Sequence, residues 1–109
     1  MSRTLTWFLE KPHRVENSVG QAYRIDQPYD IAFAWAYSET APTKQSARVD
    51  ILADGVSIFS TKLALSRGET STDQYTLSTK ELREGQYVTL NFLQGDASVG
   101  NLSIGLELT

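Results

Sequence analysis

The chain has 109 residues, enough for one domain with one modest hydrophobic core. It carries 10 lysines and arginines against 13 aspartates and glutamates, and this net charge of −3 argues against nucleic-acid binding, as does the scatter of the basic residues. The absence of cysteine excludes a disulfide framework, a thiolate nucleophile and a cysteine-based zinc site. A signal peptide and a membrane helix are not expected either, since no apolar run approaches about 20 residues.

The first predicted strand covers residues 4–9, where apolar and polar side chains alternate until Pro12 breaks the run. Trp7 and Phe8 then point to opposite faces of one strand, so a single core cannot bury both. We therefore predict that one of them contacts a partner, and that residues 1–14 are the main partner-contacting segment. The alternative is an edge strand whose outer aromatic side chain is covered by a loop.

A weaker strand is predicted over residues 20–26, and the clearest alternation follows between Tyr29 and Tyr37. A period of two predicts that the large side chains face the core, with Trp35 as a main anchor, and that a flat alanine face lies opposite. The alanine face is a candidate docking surface. Alternatively, the large side chains form a platform on which sugars stack. Core packing is the favoured interpretation. The large side chains are Ile31, Phe33, Trp35 and Tyr37, and the alanines are Ala32, Ala34 and Ala36.

Asp54-Gly55 joins two alternating runs and predicts a β-hairpin, because a type I′ turn needs φ > 0 at both central positions. Its second strand is predicted to run through about Leu65. Further strands are expected at residues 73–77, 86–94 and 102–108. The polar loop Ser38–Ser46, which contains Thr40 and Pro42, precedes the hairpin.

About eight strands at 8–12-residue spacing predict an all-β protein. We expect one domain over residues 1–109, an antiparallel β-sandwich of the jelly-roll type, with an immunoglobulin-like sandwich as the alternative. The predicted core consists of Trp35, Ile51, Val88, Leu90, Ile104 and Leu106.

No residue pattern indicates catalysis or cofactor binding. No serine stands in a nucleophile elbow, there is no glycine-rich phosphate loop, and the single histidine, His13, follows Pro12. The aspartates lack the spacing of a calcium loop. We therefore expect a non-enzymatic protein with no cofactor and no bound metal. The enzymatic alternative is a carboxylate pair for glycoside hydrolysis, since such pairs form through space.

The sequence around the hairpin resembles a module of tailed-bacteriophage virion proteins. The matching residues, which lie within a resemblance over about residues 25–108, are Ala41-Pro42-Thr43, Val49-Asp50-Ile51, Asp54-Gly55, Ile58-Phe59-Ser60-Thr61-Lys62-Leu63 and Gly68-Glu69-Thr70-Ser71. The resemblance implies a small β-sandwich that binds and assembles and has no chemistry of its own. It supplies fold markers and no catalytic residues.

The same resemblance implies a role in the virion, after synthesis in the host cytoplasm. We expect a capsid decoration or cement subunit, a homotrimer that bridges copies of the major capsid protein or other virion proteins, because no heptad or collagen-like shaft is visible. The alternative is a tail, neck or fibre-associated module that recognises host glycan through loops Ser38–Ser46 and Gly95–Asn101. No nucleic-acid or membrane partner is expected. The candidate interface residues are Trp7, Phe8, Pro12, Ala32, Ala34, Ala36, Thr40 and Pro42.

Overall fold

The computed structural model describes residues 2–10, 15–95 and 99–109. Within these ranges the chain forms twelve strands and no helix, and every strand pair is antiparallel, which confirms the predicted all-β class. The strands are β1 (Arg3–Leu9), β2 (Tyr23–Arg24), β3 (Tyr29–Ser38), β4 (Ala47–Ala53), β5 (Val56–Ser57), β6 (Phe59–Thr61), β7 (Leu63–Leu65), β8 (Ser71–Thr72), β9 (Thr76–Leu77), β10 (Glu81–Leu82), β11 (Tyr87–Gln94) and β12 (Leu102–Leu108).

The strands form two five-stranded sheets and one short ribbon. The first sheet has the order β1-β12-β3-β10, and β8 also pairs with β3, at the end opposite to β10. The second has the order β2-β11-β4-β5, with β7 also on β4, and β6 pairs with β9. Both large sheets contribute their buried sides to one hydrophobic core, as in a β-sandwich.

Five of the six predicted core residues are confirmed. Ile51, Val88, Leu90, Ile104 and Leu106 are all fully buried, and they lie on the central strands β4, β11 and β12. Alternation identified them because each of these strands keeps its period of two across the buried stretch. The sixth, Trp35, is only partly buried, and its assignment to the core is wrong.

A β-bulge in β3 explains this error. Glu107 of β12 lies opposite Phe33, but Leu108 lies opposite Ile31, so Ala32 is the extra residue. One inserted residue exchanges the two faces of every later residue on the strand. Ile31 faces the core as predicted, but beyond the bulge the buried residues are Ala34, Ala36 and Ser38, and the outward residues are Phe33, Trp35 and Tyr37.

The Asp54-Gly55 turn is confirmed. Asp54 has φ of 50° and Gly55 has φ of 80°, as a type I′ hairpin turn requires. The turn is attached to β11, because the Asp54 carboxylate accepts a hydrogen bond from the Tyr87 amide at 2.9 Å. The predicted long second strand is instead divided into β5, β6 and β7.

We expect Gly55→Val to destabilise the protein by about 1–3 kcal/mol through backbone strain, because a β-branched residue disfavours φ > 0. No heavy atom lies within 4 Å of a Cβ built at this position, so a clash does not contribute. Asp54→Asn is the matched control, since asparagine tolerates this conformation and retains an acceptor for the Tyr87 amide. Urea unfolding measures both, and equal stability of the two variants would contradict the turn assignment.

Candidate binding face

The structure separates the roles of the two N-terminal aromatic residues. Trp7 is 2 % exposed, donates its indole N–H to the Gln21 carbonyl at 2.8 Å, and meets the Tyr23 ring edge-on at 5.3 Å between centroids. Phe8 is 61 % exposed on the opposite side of β1. Trp7 is therefore a core residue, and Phe8 is the one available to a partner. Pro12 lies outside the described residues.

Side chains cover the free edge of β1. The Tyr23 hydroxyl donates to the Thr6 carbonyl at 2.6 Å, and the Arg3 guanidinium donates to the Arg24 carbonyl at 3.0 Å. These contacts connect the edge of the first sheet to β2, the edge of the second. A covered edge hinders the addition of a foreign strand. A partner is therefore expected to meet the side chains of this sheet rather than its backbone.

Asp26 joins β1 to the segment before β3. Its Oδ1 accepts hydrogen bonds from the Arg3 guanidinium at 3.0 Å and from the Tyr29 hydroxyl at 3.1 Å. A hydrogen bond from its own backbone lowers the pKa of Asp26 most, and the bonds from Tyr29 and Arg3 lower it further. Burial raises the pKa of Tyr29, and the bond to Asp26 adds to this. Both shifts favour the ionised carboxylate and the neutral phenol that this cluster needs.

The outward side of the first sheet, formed by β1, β12 and β3, is here called the outer face. Strand pairing aligns its side chains in three rows across the sheet, and neighbouring strands lie about 4.8 Å apart. The rows are Phe8, Ser103 and Tyr37; Thr6, Gly105 and Trp35; and Thr4, Glu107 and Phe33.

The outer face concentrates exposed aromatic side chains. Besides Phe8, Phe33 is 44 % exposed and Tyr37 is 50 % exposed. Among the described residues only one other aromatic side chain is comparably exposed, and this is Tyr87 on the second sheet. Large apolar side chains gathered on one exposed surface are typical of binding sites. The bulge in β3 thus converts a predicted core stripe into a surface.

The Trp35 ring packs against the sheet at a glycine, Gly105. A Cβ built on Gly105 lies 2.2, 2.3 and 2.4 Å from three atoms of the Trp35 indole, so one face of the ring covers the backbone of Gly105. Glycine within a strand often permits such a close approach. Because one face is occupied by the sheet, the other is turned away from it, and the ring has a defined orientation.

An open groove of about 290 Å³ borders the outer face where β8 meets β3. Its apolar side is formed by Trp35 and Tyr37, and its polar side by Ser71, Thr72 and Asp73. The Asp73 carboxylate accepts a hydrogen bond from the Gln74 amide side chain at 3.1 Å. The groove therefore combines two aromatic rings with a carboxylate and the hydroxyl group of Ser71, which lies opposite Tyr37.

The other predicted interface residues do not form a common surface. Ala34 and Ala36 are buried, which contradicts their assignment to an outer alanine face, and of the three only Ala32, at the bulge, is exposed. Thr40 is exposed, whereas Pro42 is buried. Ala34 and Ala36 are buried because the bulge at Ala32 turns this side of β3 toward the core.

The two end loops proposed for glycan recognition are adjacent. The Glu39 amide donates to the Asn101 carbonyl at 2.9 Å, and the Asn101 side chain donates to the Glu39 carboxylate at 3.2 Å. Residues 96–98 of the second loop lie outside the described part of the chain. These two hydrogen bonds stabilise the loops against each other.

Within residues 2–10, 15–95 and 99–109, no three histidine, cysteine, aspartate or glutamate side chains are grouped as metal ligands would be. In the same ranges no helix has the length and apolarity needed to cross a bilayer. A scan of the chain against models of known protein families finds no match, and a search of curated proteins finds no significantly similar sequence. The bacteriophage resemblance is a hypothesis based on the residues quoted above.

Sequence reasoning favoured the core over a sugar-stacking platform for the aromatic residues of β3, and so did not predict the outer face. One signal for it is present in the sequence. Gly105 interrupts the apolar alternation of residues 102–108, and a glycine inside a strand indicates a bulge or a closely approaching group. In the structure that group is Trp35, and a bulge lies two residues further along the same pair of strands.

Proposed function

We propose that this protein is a non-enzymatic structural protein of a bacteriophage virion, a capsid decoration subunit that docks through the Phe8 side of its outer face. The observation that supports docking is the exposed Phe8 ring on a strand anchored in the core on both sides of it, by Trp7 and Leu9. Aromatic side chains in rigid positions are enriched among interface hot spots. The virion and the capsid partner come from the sequence resemblance.

The surroundings of Phe8 suit a protein partner. Thr4 and Thr6 extend the exposed side of β1, and Ser103 lies directly beside Phe8 on β12. Hydroxyl groups around an apolar anchor supply the polar rim that protein interfaces have. Since the edge of β1 is covered by Tyr23 and Arg3, docking uses this face and leaves the sheet unextended.

Cement activity then follows from multivalency. In this proposal the protein is a homotrimer situated where capsid subunits meet, and each copy contacts the major capsid protein or another virion protein. Linked contacts dissociate together, so several weak sites resist capsid opening more strongly than one. Binding to the assembled capsid in preference to the free subunits stabilises the particle by mass action.

The number of copies per virion tests this role. Quantitative mass spectrometry of purified particles is expected to find hundreds of copies, on the scale of the capsid protein. A handful of copies would overturn the cement role and support the alternative, a tail, neck or fibre-associated module.

Phe8→Ser tests the docking surface. We expect the variant to keep its fold and to bind particles that lack the protein at least about 30-fold more weakly, which corresponds to about 2 kcal/mol for a hot spot. Tyr87→Ser is the matched control, because Tyr87 is 53 % exposed on the second sheet and should not affect binding. Co-sedimentation with particles measures both. Unchanged binding by Phe8→Ser, or an equal loss in the control, would place the interface elsewhere.

A further inference from the structure

We propose that the groove between β3 and β8 is a binding site for an uncharged saccharide, in which a sugar ring stacks on Trp35 and its hydroxyl groups bond to Asp73 and Ser71. This site lies on the opposite side of the outer face from Phe8, with β12 between them. The inference goes beyond the proposed capsid role and does not depend on it.

The aromatic side of the groove is preorganised. Trp35 is pressed against Gly105 on one face, so its free face needs no ordering when a flat ligand arrives. Tyr37 lies two residues further along the same side of β3, about 7 Å away along the strand. A ring fixed before binding loses little conformational entropy on binding, which favours affinity.

The polar side of the groove selects the ligand class. Sugars combine apolar ring faces with many hydroxyl groups, and a carboxylate accepts strong hydrogen bonds from hydroxyl groups. Asp73 supplies the carboxylate, and the hydroxyl group of Ser71 acts as a donor or an acceptor. Aromatic walls with a few fixed polar groups are typical of small-molecule sites.

Charge argues against nucleotides and nucleic acids, which also stack on aromatic rings. A nucleotide or single-stranded nucleic acid brings phosphates, and these are disfavoured beside Asp73 on a chain with a net charge of −3. The groove volume of about 290 Å³ matches one or two sugar rings. A protein partner would bury about 800 Å² of surface on each side, which is far more than the groove provides. Because the groove is open and small, we expect dissociation constants of about 1 mM.

Titration with methyl glycosides of glucose, galactose, mannose and N-acetylglucosamine, and with their β-linked disaccharides, tests the site by ¹H–¹⁵N NMR. The chain has two tryptophans, so its spectrum contains two indole N–H signals. At least one sugar is expected to shift the Trp35 signal in a saturable manner, while the signal of the buried Trp7 remains in place. Shifts confined to residues 38–46 and 95–101 would overturn the groove in favour of the end loops.

Variants test the individual contacts. Trp35→Ala and Asp73→Asn are each expected to weaken the best sugar at least about tenfold, whereas Tyr87→Ala should leave its affinity unchanged. Asp73→Asn keeps the shape of an exposed side chain, so it tests the site even if Trp35→Ala folds poorly. The proposal is overturned if no sugar shifts the Trp35 signal at about ten times the expected dissociation constant. It is overturned equally if the signal moves with protein concentration alone, which would indicate self-association through this face.

Discussion

A chain that lacks residues 2–9 will not fold, although it retains eleven of the twelve described strands. The deletion removes Leu5, Trp7 and Leu9 from the core and leaves one side of β12 without its strand partner. Large-to-small changes at buried sites cost about 2–5 kcal/mol each, so losing three such side chains removes on the order of 10 kcal/mol. A domain of this size has only about 5–15 kcal/mol of stability in total.

Far-UV circular dichroism and ¹H–¹⁵N NMR will reveal this result as the loss of β-structure and of dispersed amide signals. The full-length Phe8→Ser variant is the control, because it changes the outward side of β1 and leaves the strand in place. A truncated chain that melts cooperatively near the temperature of the full-length protein would show that β1 is an appendage. The predicted role of residues 1–14 as a binding segment therefore needs point variants rather than truncation.

The two tryptophans will respond very differently to replacement by alanine. Trp7→Ala is expected to cost about 3–5 kcal/mol, because the change empties a buried site and removes the indole bond to the Gln21 carbonyl. Trp35→Ala is expected to cost only about 1 kcal/mol, since the ring is partly exposed and covers the surface of the sheet. Sequence alternation alone places Trp35 in the core and predicts a large loss for Trp35→Ala, and it does not decide whether Trp7 or Phe8 is buried.

Urea unfolding followed by circular dichroism measures both changes, and this readout does not depend on the tryptophan fluorescence that each variant alters. Fluorescence of the single-tryptophan variants provides a second check. The emission of Trp7 in Trp35→Ala should be that of a buried indole, and acrylamide should quench it weakly. An equal loss of stability in the two variants would contradict the bulge at Ala32.

The outer face and the groove divide the surface of the first sheet between two expected activities. Phe8 lies on β1 at one side, and the groove lies beyond β3 at the other. The Phe8→Ser and Asp73→Asn variants therefore separate particle binding from sugar binding.

The sequence by itself determined the all-β class, the hairpin and most of the core. These features depend on short-range patterns, because alternation within one strand and the φ > 0 preference of Asp54-Gly55 need no knowledge of distant residues. Alternation also correctly placed Trp7 and Phe8 on opposite sides of one strand. Which of the two is buried was decided by the neighbours of β1, since residues 20–24 cover the Trp7 side.

Only the tertiary structure decided which side of β3 faces the core. The residues on either side of Ala32 alternate regularly, and nothing in their own pattern reveals the inserted residue. The register is set by β12, where Gly105 makes room for Trp35 outside the core while Leu106 and Ile104 fill the space inside. A bulge is a property of two paired strands, and it exchanges core and surface for every residue that follows it. For this reason the sequence favoured the core for Phe33, Trp35 and Tyr37, and only the fold places them on the candidate binding face.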